Sequence, residues 1–186
     1  MEYQIKRFTT ALELNKILEI LSEEAALSDA ASLALNAEPE WDAEKVKANL
    51  NMTFSAYKLL SRTTAPKFAG AANNSVAINR AATGGVLNAK ELLQIGDTLR
   101  VIRTLKAWRD NAEYPEELVI DKLFNKLQPN KYLEDTIFYA INGDESIKDS
   151  ASQTLSDIRR KIKSASANIR ERLDSIVKGK NFAKYL

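Results

Sequence analysis

The sequence predicts an all-α fold, and three observations support this prediction. Apolar residues recur at helical spacing along most of the 186 residues, in segments that are separated by Pro, Gly or Asn. A short piece at residues 3–8 is the one stretch with a strand-like pattern. The chain contains only 6 Gly and 4 Pro, which excludes collagen-like and low-complexity classes. Its length suits one mid-sized domain or two very small ones.

Three helices are predicted in the first third of the chain, over residues 11–25, 28–35 and 39–61. Thr9 or Thr10 is a candidate N-cap of the first helix, and Pro39 suits the first position of the third. The residues predicted to face the core share a spacing of three or four positions. They are Leu14, Ile17, Leu18 and Leu21 in the first helix and Val46, Leu50, Phe54 (or Met52), Tyr57 and Leu60 in the third.

The middle of the chain predicts a loop over residues 62–75 and then further helices. These helices are expected at residues 76–82, 88–108, 116–127 and 132–141. Gly84 and Gly85 end the first of them, because glycine adopts the left-handed C′ conformation at little cost. Asn88 and Glu91 have the spacing of a capping box at the start of the next.

The last predicted helix, over residues 149–177, has an apolar row that is typical of a helix-pairing seam. The apolar residues recur every seven positions, and a companion row that includes Ala151 and Ile158 lies four residues before them. The predicted seam consists of Leu155, Ile158, Ile162, Ile169 and Ile176. About 29 residues of helix would form a rod of roughly 43 Å. So narrow a stripe favours one or two partner helices over a globular core.

The same helix is rich in cations. Residues 151–186 hold nine Lys or Arg and three acids, whereas the rest of the chain has a net charge of −4. The candidate contact residues for a nucleic acid or an acidic partner are Arg159, Arg160, Lys161, Lys163, Arg170 and Arg172. Phosphate contacts of this kind give affinity that falls with salt and carry no sequence information. A solvated helix face is the alternative interpretation.

The composition leaves little room for catalysis in this segment. Without Cys or His there is no disulfide, thiolate nucleophile, zinc finger or histidine base. The paired acids Glu23-Glu24 and Glu116-Glu117 point to different sides of a helix and are expected to be solvated. No phosphate-binding loop is present, because Gly179-Lys180 lacks its flanking residues. We therefore predict no catalytic residue, no metal site and no cofactor here; a small independent enzyme is the weakest hypothesis.

Other features bear on location and on the two tryptophans. No apolar run approaches the length of a membrane span, and the first residues lack a signal-peptide pattern, so we expect a cytoplasmic protein without a membrane partner. Trp41 and Trp108 are expected to anchor the core or an interface. The last residues carry no stop signal and suggest that the natural chain continues after Leu186.

Three blocks of sequence, taken together, resemble the MutS-type-2 family, the MutS relatives without mismatch-reading and connector domains. The first block is ALELNKIL at residues 11–18, and the second is GGVLNAKELL at residues 84–93, followed by DTLR. The third is DSAS at residues 149–152, with the basic helix that follows it. The resemblance covers most of the chain. One departure is Ala69-Gly70, where the family usually has a Gly-Gly pair.

The resemblance implies a helical core domain at residues 1–147 and a lever helix with the start of the next segment at 148–186. It also implies a longer parent protein with a clamp, an ATPase domain that binds ATP and Mg²⁺, and commonly a Smr nuclease domain. Such a parent would be a homodimer that acts on DNA or ribosomal RNA. This segment would relay the state of the ATPase to the clamp. A stand-alone helical adaptor that binds a partner helix through the seam is the alternative.

Overall fold

The computed structural model describes residues 9–112, 114 and 117–178, and over these residues the fold is all-α, as predicted. The possible strand at residues 3–8 lies outside them. We label the helices α1 (Leu14–Glu23), α2 (Ser28–Leu35), α3 (Ala43–Leu60), α4 (Ser75–Ala82), α5 (Ala89–Asp110), α6 (Asp121–Phe124), α7 (Lys131–Ala140) and α8 (Gln153–Lys178), with a 3₁₀ turn at Asp149–Ala151. An isolated antiparallel bridge joins Ile141 and Ile147. Within the described residues, no helix combines the length and apolar content needed to cross a bilayer.

The chain forms two compact units, Met1–Glu134 and Asp135–Leu186. In the first unit, α1 packs on α2, and the core includes Leu59 of α3, Val101 and Leu105 of α5, and Leu118. In the second unit, Ile137 and Ile141 are buried. The predicted division into residues 1–147 and 148–186 stays a prediction.

The predicted buried face of α3 is wrong. Leu50, Phe54 and Tyr57 are more than half exposed and Leu60 is 46% exposed, whereas Ser55 and Leu59 are buried. The reason is a polar contact: the Ser55 hydroxyl accepts a hydrogen bond from the backbone N–H of Ile120 at 3.1 Å and donates one to the Met52 carbonyl at 2.7 Å. This pairing satisfies Ser55 in the core, so the other side of α3 faces the solvent.

Helix α3 begins at Ala43 and not at Pro39 as predicted, because Asp42 caps its N-terminus. The Asp42 carboxylate accepts hydrogen bonds from the N–H groups of Glu44 at 2.9 Å and Lys45 at 3.4 Å, which makes Asp42 the N-cap. The Glu40 carboxylate accepts from the N–H of Trp41 and from that of Asp42. Trp41 lies in this segment at 74% exposure and does not anchor a core within the chain.

Two ion pairs with buried carboxylates connect α5 to residues that follow it in the first unit. Arg109 donates two hydrogen bonds to Asp121 at 2.5 and 2.7 Å, and Asp121 also accepts from the N–H of Leu118 at 2.8 Å. Arg103 forms a bidentate pair with Glu134 at 2.8 and 2.9 Å. The hydrogen bonds from Arg109 and Arg103 hold the pKa of Asp121 and the pKa of Glu134, respectively, below their usual values.

The expected helix over residues 116–127 is much shorter in the structure. The α-helix covers only Asp121–Phe124, because the Asp121 carboxylate is committed to Arg109 and to the N–H of Leu118. Trp108 packs on Phe124 at a ring distance of 5.8 Å and donates its indole N–H to the carbonyl of Thr64 at 2.9 Å. Trp108 is therefore the anchor that was predicted.

Candidate functional site

The predicted site residues lie on α8, which is 26 residues long and therefore about 39 Å from end to end. The expected start at Asp149 is wrong. Asp149–Ala151 form a 3₁₀ turn, and Ser152 is extended with φ −154° and ψ 147°. The Ser152 hydroxyl accepts a hydrogen bond from the N–H of Leu155 at 3.1 Å, which caps α8. Ala151 consequently lies outside the helix and outside its apolar row.

The predicted seam is open to solvent over most of its length. Leu155 is half-buried, whereas Ile158, Ile162, Ile169 and Ile176 are 49%, 60%, 59% and 50% exposed. Leu173 and Val177 widen the row near the end of the helix and are half exposed as well. The other described residues therefore leave most of this row uncovered. Its role as a partner-binding seam stays a prediction.

The helix geometry places the cations on both edges of this row. With about 100° of rotation per residue, Arg159, Lys163 and Arg170 lie roughly 60–100° to one side of Ile162. Lys161 and Arg172 lie roughly 80–100° to the other side. Arg160 faces away from the row. The six candidate residues thus do not form one phosphate-facing line, and five of them border the apolar row.

Two of the six candidate cations, Arg159 and Arg160, form ion pairs with nearby residues of the chain. Arg159 forms an ion pair with Asp149 and donates to the carbonyl of Ile147 at 2.8 Å. Arg160 pairs with Asp157 at 2.8 Å. Both pairs are solvent-exposed, and such pairs contribute only about 0–1 kcal/mol. A phosphate or carboxylate of a partner can therefore replace Asp157 or Asp149 at small cost.

The other four cations have no ion-pair partner among the described residues. They are Lys161, Lys163, Arg170 and Arg172. A basic helix with an open apolar row can bind an anionic partner. Among the residues that the structure describes, no group of three or more His, Cys, Asp or Glu side chains could hold a metal ion.

The GGVLNAKELL block forms the turn between α4 and α5. Gly84 has a φ of +86°, and a Cβ on Gly85 would lie 2.5 Å from Cγ of Arg80. The predicted capping box is confirmed: Asn88 Oδ1 accepts from the N–H of Glu91, and the Glu91 carboxylate accepts from the N–H of Asn88, both at 2.9 Å. Glu91 also pairs with Arg80, a contact that sequence reasoning missed because Arg80 lies eleven residues away.

The loop with the departure from the family pattern is tied to α5. Thr98 Oγ1 accepts hydrogen bonds from the N–H of Ala72 at 3.1 Å and from Nδ2 of Asn74 at 2.8 Å. Gly70 has a φ of +98°, and a Cβ there would meet Asp97 and Val101 at 3.7 Å. Gly70 thus lies where the backbone is left-handed, a conformation that glycine adopts at little cost.

Comparison with known proteins identifies a family. No family model matches the chain. The protein named endonuclease MutS2 of Acetivibrio thermocellus is 32% identical over 177 residues, which is 94% of this chain. Proteins of that name in Clostridium beijerinckii and Clostridioides difficile are 34% and 33% identical over 97% and 94% of the chain. The chain is related to the MutS2 proteins.

The chain spans 22–23% of the length of these MutS2 relatives. The predicted resemblance to MutS2 proteins is confirmed by identities of 32% and 34% over 94% and 97% of the chain. The name endonuclease describes the relatives as whole proteins.

Proposed function

We propose that this segment is the helical core and lever of a MutS2-type protein, which relays the state of an ATPase domain to a clamp on nucleic acid. The observation that supports this proposal is α8, a rod of about 39 Å with an open apolar row and cations on both edges. In this proposal ATP, Mg²⁺ and any nuclease chemistry belong to parts of the parent outside these residues. The parent acts as a cytoplasmic homodimer on DNA or ribosomal RNA.

A rigid helix suits this role because small rotations at one end become large displacements at the other. A rotation of about 10° would move the far end of α8 by roughly 7 Å. The apolar row would hold the rod against another helix of the parent, and the unpaired cations would approach phosphate. The segment itself performs no chemical step.

The relay can be tested by breaking the rod in the full-length parent. Ser164→Pro removes a hydrogen bond in the middle of α8 and kinks the helix. We expect the factor by which nucleotide changes the affinity for nucleic acid to become at least about tenfold smaller in this variant. The rate of ATP hydrolysis measured without nucleic acid should be retained. The measurements are fluorescence anisotropy with and without nucleotide, and the rate of phosphate release.

Gln153→Pro is the matched control. Gln153 is the first residue of α8, where proline is tolerated, and the preceding Ser152 already has the extended backbone that proline requires. In this variant, nucleotide should change the affinity for nucleic acid as much as it does in the unmodified protein. The proposal is wrong if Ser164→Pro reduces helicity by circular dichroism but leaves the coupling unchanged.

The approach to phosphate has a separate test. Arg170→Glu together with Arg172→Glu reverses two unpaired cations, whereas Arg160→Glu reverses one that faces away from the row and already has a partner. We expect the double variant to weaken nucleic-acid binding by the parent and to flatten its dependence on salt, because fewer counterions are released. Equal losses from Arg160→Glu would contradict the proposed contact.

The exposure of the seam also favours a second candidate function, a helical adaptor that binds a partner helix through the same row. In that case Ile162→Asp, which places a charge in the apolar contact, would abolish partner binding. High salt would leave that binding largely intact, whereas a phosphate contact would be lost. The salt dependence of binding therefore separates the two functions.

A further inference from the structure

A shallow cleft of about 310 Å³ opens between α1 and the segment that follows α2. Its apolar wall consists of Leu14, Leu18, Leu35, Ala37 and Pro39. Leu35 is 49% exposed, and Leu14 and Leu18 are half-buried, so the wall is open to solvent. The volume lies at the lower end of the range of about 300 to 1,000 Å³ for small binding sites. It therefore has room for one or two apolar side chains of a partner that lies across its opening.

Two carboxylates, those of Glu19 and Glu38, lie beside this apolar wall. Neither has an ion-pair partner among the described residues. The surroundings have the same sign, because residues 9–44 contain nine acids and a single cation, Lys16. Lys16 pairs with Glu13 at 2.6 Å. A field of this sign repels phosphate and attracts cations.

We propose that this cleft binds a basic amphipathic helix of a partner protein. Leu14 and Leu18 are one helical turn apart, so the cleft runs along α1 and can receive apolar side chains that are also one turn apart. Lysine or arginine side chains that flank those apolar residues would pair with Glu19 and Glu38. The occupant is thereby defined by charge as well as by shape, and it differs from the anionic partner proposed for α8.

Fluorescence anisotropy with the 186-residue chain tests this inference. The probe is a labelled amphipathic peptide of about five helical turns, with leucine on one face and lysine on the flanks. A second probe carries glutamate in place of lysine. We expect the lysine peptide to bind at least about tenfold more tightly, and the difference to shrink as salt is raised.

Charge reversal locates the binding surface. Glu19→Lys together with Glu38→Lys should weaken binding of the lysine peptide at least about tenfold and should strengthen binding of the glutamate peptide. Glu23→Lys together with Glu24→Lys changes the net charge of the chain equally but lies away from the cleft wall. That control should have little effect, because binding depends on the cleft rather than on overall charge.

A second pair of variants tests the apolar wall. Leu35→Ser should weaken binding of the lysine peptide. Ile20→Ser should leave that binding unchanged, because Ile20 is 63% exposed and does not line the cleft. The inference is overturned if both probes bind equally, or if the two charge-reversed pairs act alike. It is also overturned if the unmodified chain dimerises in sedimentation and Leu35→Ser makes it monomeric, since a second copy then covers the wall.

Discussion

The two long helices, α5 and α8, use similar residues in opposite ways. α5 is 22 residues long, and its arginines Arg103 and Arg109 are bound to the buried carboxylates of Glu134 and Asp121. α8 is 26 residues long, and its isoleucines and most of its cations remain exposed. Arg103 and Arg109 of α5 are paired with carboxylates inside the chain, whereas most cations of α8 have no ion-pair partner among the described residues. The two helices therefore differ in how their charges are partnered rather than in residue content.

The sharpest test of this comparison removes one carboxylate from each kind of ion pair. Asp121→Ala leaves Arg109 buried and unpaired and removes the acceptor of the Leu118 N–H, so we expect a loss of about 3–5 kcal/mol in the free energy of unfolding. Asp157→Ala breaks the exposed pair with Arg160 and should cost no more than about 1 kcal/mol. Urea denaturation of both variants provides the measurement, and equal losses would remove the distinction.

A second test compares apolar side chains on the same two helices. Leu105 of α5 is 8% exposed, and Leu105→Ala should cost about 2–5 kcal/mol through lost burial and a cavity. Ile162 of α8 is 60% exposed, and Ile162→Ala should change stability by no more than about 0.5 kcal/mol. A large loss from Ile162→Ala in the isolated chain would mean that the row is already covered.

The ion pairs of α5 also predict how stability depends on pH. Because the pKa values of Asp121 and Glu134 are lower in the folded state, the unfolded state takes up protons first as the pH falls. The contribution of each carboxylate to stability is complete above its ordinary pKa, 3.8 for Asp and 4.5 for Glu, and is lost as the pH falls through its lower pKa in the folded state. Thermal unfolding between neutral and acidic pH should show this loss, and Glu134→Gln should have a smaller pH dependence.

The smallest expected effects come from the caps of the two helices. Asn88→Ala removes the capping box of α5 and should cost about 1 kcal/mol in global stability. Ser152→Ala removes the cap of α8, and we expect its effect to be confined to the first turns of an exposed helix. Hydrogen exchange at the amides of Leu92 and Leu155 distinguishes the global effect of Asn88→Ala from the local effect of Ser152→Ala. Global destabilisation by Ser152→Ala would show that α8 is part of the folding core.

The success of the sequence-based predictions varies with the range of the interactions involved. Helix α2, the capping box of Asn88 and Glu91, and the long basic helix depend on neighbours within a few residues, and these predictions are confirmed. The buried face of α3 was wrong because Ser55 pairs with Ile120, sixty-five residues away. Periodicity cannot anticipate a polar residue that is satisfied by a distant backbone group.

The candidate site shows the same division. The apolar row and its flanking cations follow from spacing along one helix, whereas the pairing of Arg159 with Asp149 required the 3₁₀ turn before α8. The acidic cleft was missed, although the excess of acids in residues 9–44 was a visible signal. Its apolar wall combines α1 with the last residue of α2 and with residues after α2, and only their packing brings these together.

The amino-acid sequence by itself determined the all-α class, the main helices, the amphipathic basic rod and the relation to MutS2 proteins, because each depends on local spacing or on similarity along the chain. Tertiary structure alone decided which arginines form ion pairs with buried carboxylates, which face of α3 is buried and where a cleft lies beside α1. Those outcomes depend on desolvation and on partners distant in sequence, and a charge or an apolar side chain has no fixed role until its neighbours are in place.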